Sequence, residues 1–220
     1  MSIVVLSRLE MSGTDAPKKP WYLVAALMGA LGLGAGGGCE GHRIVSLYRA
    51  EHIDPSAFAQ EIASTVDRDA VRAAVEGYID ALGVARERAF PLAVAALLIG
   101  VATVLFAMRA MGGSAGARRG LMQLVLVQAG LVCATYFVEK DVRAAGVRLA
   151  TEKIRAEAHQ EIKEPPRAEQ AIRINVAVAK LRDPMRLAMS TIGSLLIVFA
   201  LTRRGARAFF DASQETVSEQ

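Results

Sequence analysis

Residues 89–108 read AFPLAVAALLIGVATVLFAM, twenty consecutive positions without a charge. Arg86, Glu87 and Arg88 stand immediately before the run, and Arg109 immediately after it. A bilayer core of about 30 Å takes about 20 helical residues at a rise of about 1.5 Å each, so this run has the length of one crossing. Lipid offers backbone groups no water to bond, which forces such a run to be helical.

Three further runs share the pattern: 21–39, 121–138 and 185–202. All four are 18 to 20 residues long, and only the fourth holds a charge, Arg186 in its first turn. Any one of them could be a buried helix of a soluble core. Four together point to an all-α integral membrane protein with four transmembrane helices. Trp21 and Tyr22 open the first run and Tyr136 lies near the end of the third, the places of interfacial aromatics. Around them the segments are a polar tail (1–20), two long stretches (40–88 and 139–184), a short basic loop (109–120) and a C-terminal tail (203–220).

The composition agrees. The chain has 220 residues, of which 53% are hydrophobic and 22% charged, and its mean hydropathy is +0.31. A soluble domain would be less apolar and would scatter its apolar residues at amphipathic spacing. A net charge of +4 and a pI near 9.3 could suggest nucleic acid, but the basic residues are spread over loops and interleaved with acids. With only 5% aromatics there is no base-stacking surface, and no nucleic-acid partner is expected.

The first run departs from the others by its glycines, Gly29, Gly32, Gly34, Gly36, Gly37 and Gly38, which lower apolarity and helix propensity. Two alternatives arise there. One is a cleaved signal peptide with Lys18 and Lys19 as its basic region. The other is a lipoprotein signal ending at Cys39, against which Gly36 stands where a branched aliphatic is wanted. Gly32 and Gly36 form a GxxxG pair, and Gly34 and Gly38 another; such spacing lets a neighbouring helix approach closely in lipid. Gly32 and Gly36, with Gly100 and Gly193 of the second and fourth runs, are the expected helix-packing positions.

Both long stretches read as helical projections outside the lipid. In the first, Asp54-Pro55 reads as an N-cap with proline at the first helical position. Asp67 reads as a second cap, opening a helix through about Leu82. Val71, Val75, Tyr78, Ile79 and Leu82 give that helix an apolar face, and Arg72 and Glu76 can pair opposite. In the second, the third spanning helix is expected to continue to about Lys163, where Pro165-Pro166 interrupts it. A helix from 168 to 181 follows, and Asp183-Pro184 is expected to cap the fourth span.

The second and fourth runs align at an offset of 93 residues: Pro91 meets Pro184, Ile99-Gly100 meets Ile192-Gly193, and Phe106-Ala107 meets Phe199-Ala200. This suggests two divergent tandem copies of a helix–projection–helix unit. The short loop carries Arg109, Arg118 and Arg119 without an acid, and the tails add Lys18, Lys19, Arg203, Arg204 and Arg207. The positive-inside rule then places both termini in the cytoplasm and the projections outside an inner (plasma) membrane of bacterial type.

Motifs for chemistry are missing: no Walker loop, GxSxG elbow, HExxH or CxxC occurs. Cys39, Glu40 and His42 lie together but lack a fourth ligand at fitting spacing. Cys39 and Cys133 read as free buried thiols rather than a disulfide. Gln128, in the middle of the third run, reads as an interhelical hydrogen bond rather than a pore-lining group. The expectation is a non-catalytic scaffold or interaction subunit without cofactor or metal, whose partners are the bilayer and a protein or a second copy. A small transporter or channel, or a receptor-like sensor needing an output partner, is the alternative.

Overall fold

Apolar residues at three- and four-residue spacing carry the first helix past its glycines. The helix α1 spans Trp21–Arg49, and Leu23, Leu27 and Ala30 on one stripe are buried. It does not stop at Cys39. Ile44, Leu47 and Tyr48 renew the stripe and pack with Leu82, Ala89 and Val142, so tertiary contact extends the helix ten residues beyond the apolar run. The computed structural model describes residues 19–49, 68–161 and 165–218. Asp54-Pro55 and Asp67 lie outside the described residues.

The helix α2, Arg68–Met111, joins projection and apolar run in one rod of 44 residues rather than ending near Leu82. Its Val71 and Val75 are buried against Ala156, and Arg72 meets Glu76 at 2.9 Å. Gly112, Gly113 and Ser114 form the turn to α3, Ala115–Val138. Gly113 has φ +88°, the left-handed backbone that L side chains rarely adopt, and Ser114 caps α3 by accepting from the Ala117 N–H at 3.3 Å. The non-helical loop is thus far shorter than 109–120, because the arginines enter the adjoining helices.

After α3 only Glu139 leaves the helical register before α4, Lys140–Glu161. The last helix of the bundle, α5, spans Pro165–Thr202 without a break. Asp183-Pro184 therefore does not cap the fourth span. Pro184, like Pro91 in α2, lies inside its helix and deprives a carbonyl one turn back, that of Lys180 or Glu87, of its usual donor. Both prolines stand among charged residues at the junction of apolar run and projection, where water can serve that carbonyl. Packing of the projection on α4 supplies what the missing bond costs.

The described residues contain helices and no strand. Among the described residues, four helices are long and apolar enough to cross a membrane, and no more than about a third of the apolar stretch of any of them is buried within the chain. The largest contact is between α1 and α2; α4 packs between the projecting halves of α2 and α5. A final helix, α6 (Arg204–Ser218), replaces the expected tail. Its Ala206, Phe209 and Phe210 are buried with Leu201, Ala110, Ala117 and Leu121 at the end opposite the projections.

Candidate functional site

Small residues first bring α1 and α2 together. A Cβ on Gly100 would lie 2.5 Å from the Gly38 nitrogen and 2.7 Å from the Gly34 oxygen, and one on Gly41 would lie 2.6 Å from the Leu97 nitrogen. The face that meets α2 is therefore Gly34, Gly38 and Gly41. Gly32 and Gly36 lie on the opposite side, where a Cβ would meet nothing within 4 Å. Two overlapping GxxxG pairs lie two residues apart on one helix, so only one can face the neighbour, and the burial of Leu23, Leu27 and Ala30 on the same helix decides which. Gly193 is in ordinary contact with the Leu33 side chain at 3.7 Å, so the two glycines matched at an offset of 93 residues sit in different surroundings.

Gln128 then ties three helices together. Its Nε2 donates to the Leu33 carbonyl of α1 at 2.8 Å, and its Oε1 accepts from Thr103 Oγ1 of α2 at 3.2 Å. Gly37 leaves the room for this: a Cβ there would collide with the Gln128 amide.

Above Gln128 opens a cleft of about 450 Å³ framed by α1, α3, α4 and α5. Its lower walls are apolar, with Ala93, Leu131, Val132 and Leu187; its upper rim is charged, with Arg43, Arg143, Arg182, Arg186, Glu40, Glu139 and Asp183. Glu40 bridges two helices, accepting from Arg43 of its own helix at 2.6 Å and from Arg186 of α5 at 2.9 Å. The Arg143 guanidinium lies 3.7 Å from the Tyr136 ring centroid and donates to the Tyr136 carbonyl. Tyr48, buried, donates to Glu139 Oε1 at 3.3 Å.

Burial pushes the Glu139 carboxyl above its ordinary value, against the opposing pull of the Tyr48 hydroxyl and of Arg143. A carboxylate with a raised folded-state pKa contributes stability below the unfolded value, near 4.5, and loses it as pH rises through the folded value. Glu139→Gln keeps an acceptor for Tyr48 and removes the charge. It is expected to leave Tm nearly unchanged at pH 4 and to raise it by a few degrees at pH 8, read by thermal unfolding in neutral detergent. Equal effects at the two pH values would show that burial does not raise the carboxyl above its ordinary value.

Cys39 is exposed, Cys133 is half-buried, and both are free. Glu40 is engaged by two arginines, and among the described residues no group of three or more His, Cys, Asp or Glu side chains could hold a metal ion. The cleft escaped sequence reading because its rim comes from residues about 90 and 140 positions apart, none of which forms a local motif. A signal existed in the unusual charge at Arg186, inside an apolar run. Compared with family models, with curated proteins and with solved structures, the chain matches none.

Proposed function

We propose that the chain is a multi-pass membrane protein that crosses the bilayer four times and acts as a non-catalytic interaction subunit, its projecting α5 packing against a second copy. The observation that carries the reading is a seam on the outward face of α5. Ile174, Val178, Leu181, Met185, Ala188, Ile192, Leu195 and Phe199 follow one another at alternating steps of four and three residues, all of them exposed. A strict alternation of that kind is the a/d pattern along which two helices supercoil.

Lipid accounts for the exposed apolar residues from Met185 onward, together with Leu98, Leu105 and Leu126 on the neighbouring helices. In water so much exposed apolar surface would drive aggregation, which supports insertion of all four runs. Lipid does not account for Ile174, Val178 and Leu181. They are 56–62% exposed on the projection, and Ile174 lies nine residues, about 14 Å, beyond the charged level of Asp183. At ~100 Å² for each large side chain the whole seam offers roughly 700 Å² per copy, close to one side of a standard interface.

The central place of Leu23, Leu27 and Ala30 in the bundle supports retention of the first run rather than its cleavage. The arginines Arg109, Arg119, Arg203, Arg204 and Arg207 gather with Lys19 at the α6 end, which favours that end as cytoplasmic. The tandem-unit reading rests on the matched positions of Pro91 and Pro184 inside their helices.

The test uses single cysteines in a Cys39→Ser, Cys133→Ser background. Val84→Cys and Ala144→Cys, both exposed on projections, should react with an impermeant thiol reagent in intact cells, and Ala208→Cys of α6 only after lysis. Oxidation of membranes should link copies carrying Val178→Cys or Leu181→Cys and leave Lys180→Cys unlinked. A mild-detergent monomer with no link at 178 or 181 would remove the second copy from the proposal. Labelling of only one projection would remove the four-span topology.

A further inference from the structure

The cleft above Gln128 is distinct from the α5 seam and faces the inside of the bundle. Gln128 lies ten residues below the end of α3 at Val138, a drop of about 15 Å, which is half of a bilayer core of about 30 Å. The cleft therefore has the depth of one leaflet on the membrane reading given above, on which this inference rests. Its layout is also that of one leaflet, with apolar walls below and a charged rim at the level where the apolar runs end.

The rim favours an anion. It holds four guanidiniums, Arg43, Arg143, Arg182 and Arg186, against three carboxylates, Glu40, Glu139 and Asp183. Burial moves one of these carboxyls, Glu139, toward its neutral form. Arg43 and Arg186 share the single Glu40, so each retains N–H donors beyond that bond, since a guanidinium carries five. Arg143 is stacked on Tyr136 rather than paired with a carboxylate, and Arg182 has no ion-pair partner among the described residues. Guanidinium forks match phosphate oxygens two at a time, and an anionic headgroup brings that phosphate without the ammonium that a zwitterionic one would set among these arginines. At the floor, Gln128 gives one amide N–H to Leu33 and accepts from Thr103 through its oxygen, so at most one N–H is left for the deep end.

We propose that this cleft holds one anionic phospholipid of the leaflet on the projection side, its phosphate among Arg43, Arg143, Arg182 and Arg186, and an acyl chain descending between Leu131, Val132 and Leu187 toward Gln128. Basic pockets between membrane helices bind such headgroups at cytoplasmic faces, and the same pairing of guanidinium with phosphate acts in either leaflet; a volume of about 450 Å³ accommodates an acyl chain and part of a headgroup. Bound there, the lipid bridges α1, α3, α4 and α5.

The experiment takes the full chain in neutral detergent, delipidated, and adds phosphatidylglycerol or phosphatidylcholine with the same acyl chains. Bound lipid is counted by native mass spectrometry. One phosphatidylglycerol per chain is expected, retained at least about tenfold better than phosphatidylcholine, each factor of ten being about 1.4 kcal/mol. Arg143→Ala with Arg182→Ala should abolish the preference, and Val132→Trp, which fills the lower cleft, should abolish retention of both lipids. If the arginine pair fails to fold, Arg182→Ala alone, at an exposed side chain, should lower the preference several-fold. Equal retention of the two lipids would overturn the proposal. So would phosphatidylglycerol retention that Val132→Trp leaves intact, or that inorganic phosphate displaces at equal concentration, since either places the headgroup alone on the surface. Failure of the membrane reading shows itself separately, as extraction of the chain from membranes by alkaline carbonate.

Discussion

Gly100→Ala is expected to destabilise the protein by about 2–4 kcal/mol, although it adds one methyl group to a helix that alanine favours. The added Cβ meets the Gly38 nitrogen at 2.5 Å, the Gly34 oxygen at 2.7 Å and the Gly38 Cα at 2.7 Å. All three are backbone atoms, so no side-chain rotation relieves the collision. The helices α1 and α2 must move apart by most of an ångström along their largest contact, giving up dispersion attraction over the whole crossing. At about 2–4 °C per kcal/mol for a chain of this size, the fall in Tm is roughly 4–16 °C. Gly36→Ala, on the partner helix α1 but away from the crossing, is the control. Nothing lies within 4 Å of its Cβ, so the gain in helix propensity acts alone and stabilises by about 0.5–1 kcal/mol. Parallel thermal unfolding of the two variants in detergent reads both effects. The close approach of α1 and α2 would be refuted by a Gly100→Ala protein as stable as the parent.

Phe210→Ala is expected to release α6 from the bundle. Phe210 is fully buried, meets Phe209 edge to face at a centroid separation of 5.3 Å, and shares one buried cluster with Leu201, Ala110 and Leu121. Losing a buried phenyl ring costs about 3–5 kcal/mol. A terminal helix can open by itself, so the cost appears as local opening rather than global unfolding. Tryptic cleavage at Arg204 and Arg207 should accelerate by about 100-fold, the population change that roughly 3 kcal/mol implies. Arg118 works against the docking of α6. It is 9% exposed, its Nε and Nη1 have no hydrogen-bond partner, and its guanidinium lies 5.6 Å from the Phe210 centroid. Opening of α6 returns those donors to water. Arg118→Met should therefore slow cleavage relative to the parent, the opposite sign to Phe210→Ala. Unchanged cleavage in Phe210→Ala would mean that α6 is held by something other than its two phenylalanines.

Much of the architecture was legible because it depends on local physics. The four apolar runs, the stripe Val71, Val75 and Leu82, and the Arg72–Glu76 pair depend on lipid-length apolarity or on helical periodicity, and both can be counted along the chain. The Asp183-Pro184 reading failed because capping is also a local signal. Contact of the projection with α4 outweighs one missing hydrogen bond, and no window of sequence contains that contact. Likewise Ile44, Leu47 and Tyr48 carry α1 onward only because Leu82 and Val142 are there to receive them.

By itself, then, the sequence determined the number and length of the apolar runs and the absence of a recognisable catalytic motif, since these follow from the order of side chains. It also showed that glycine would set a close crossing. Which glycines meet, Gly34 and Gly38 with Gly100 rather than Gly32 and Gly36, was decided by the rotation of α1 about its axis, and that rotation is fixed by the burial of Leu23 and Leu27. The cleft is tertiary altogether. Glu40, Glu139 and Arg186 are solvated charges when read in order, and they become one rim only because three helices end their apolar runs at the same level.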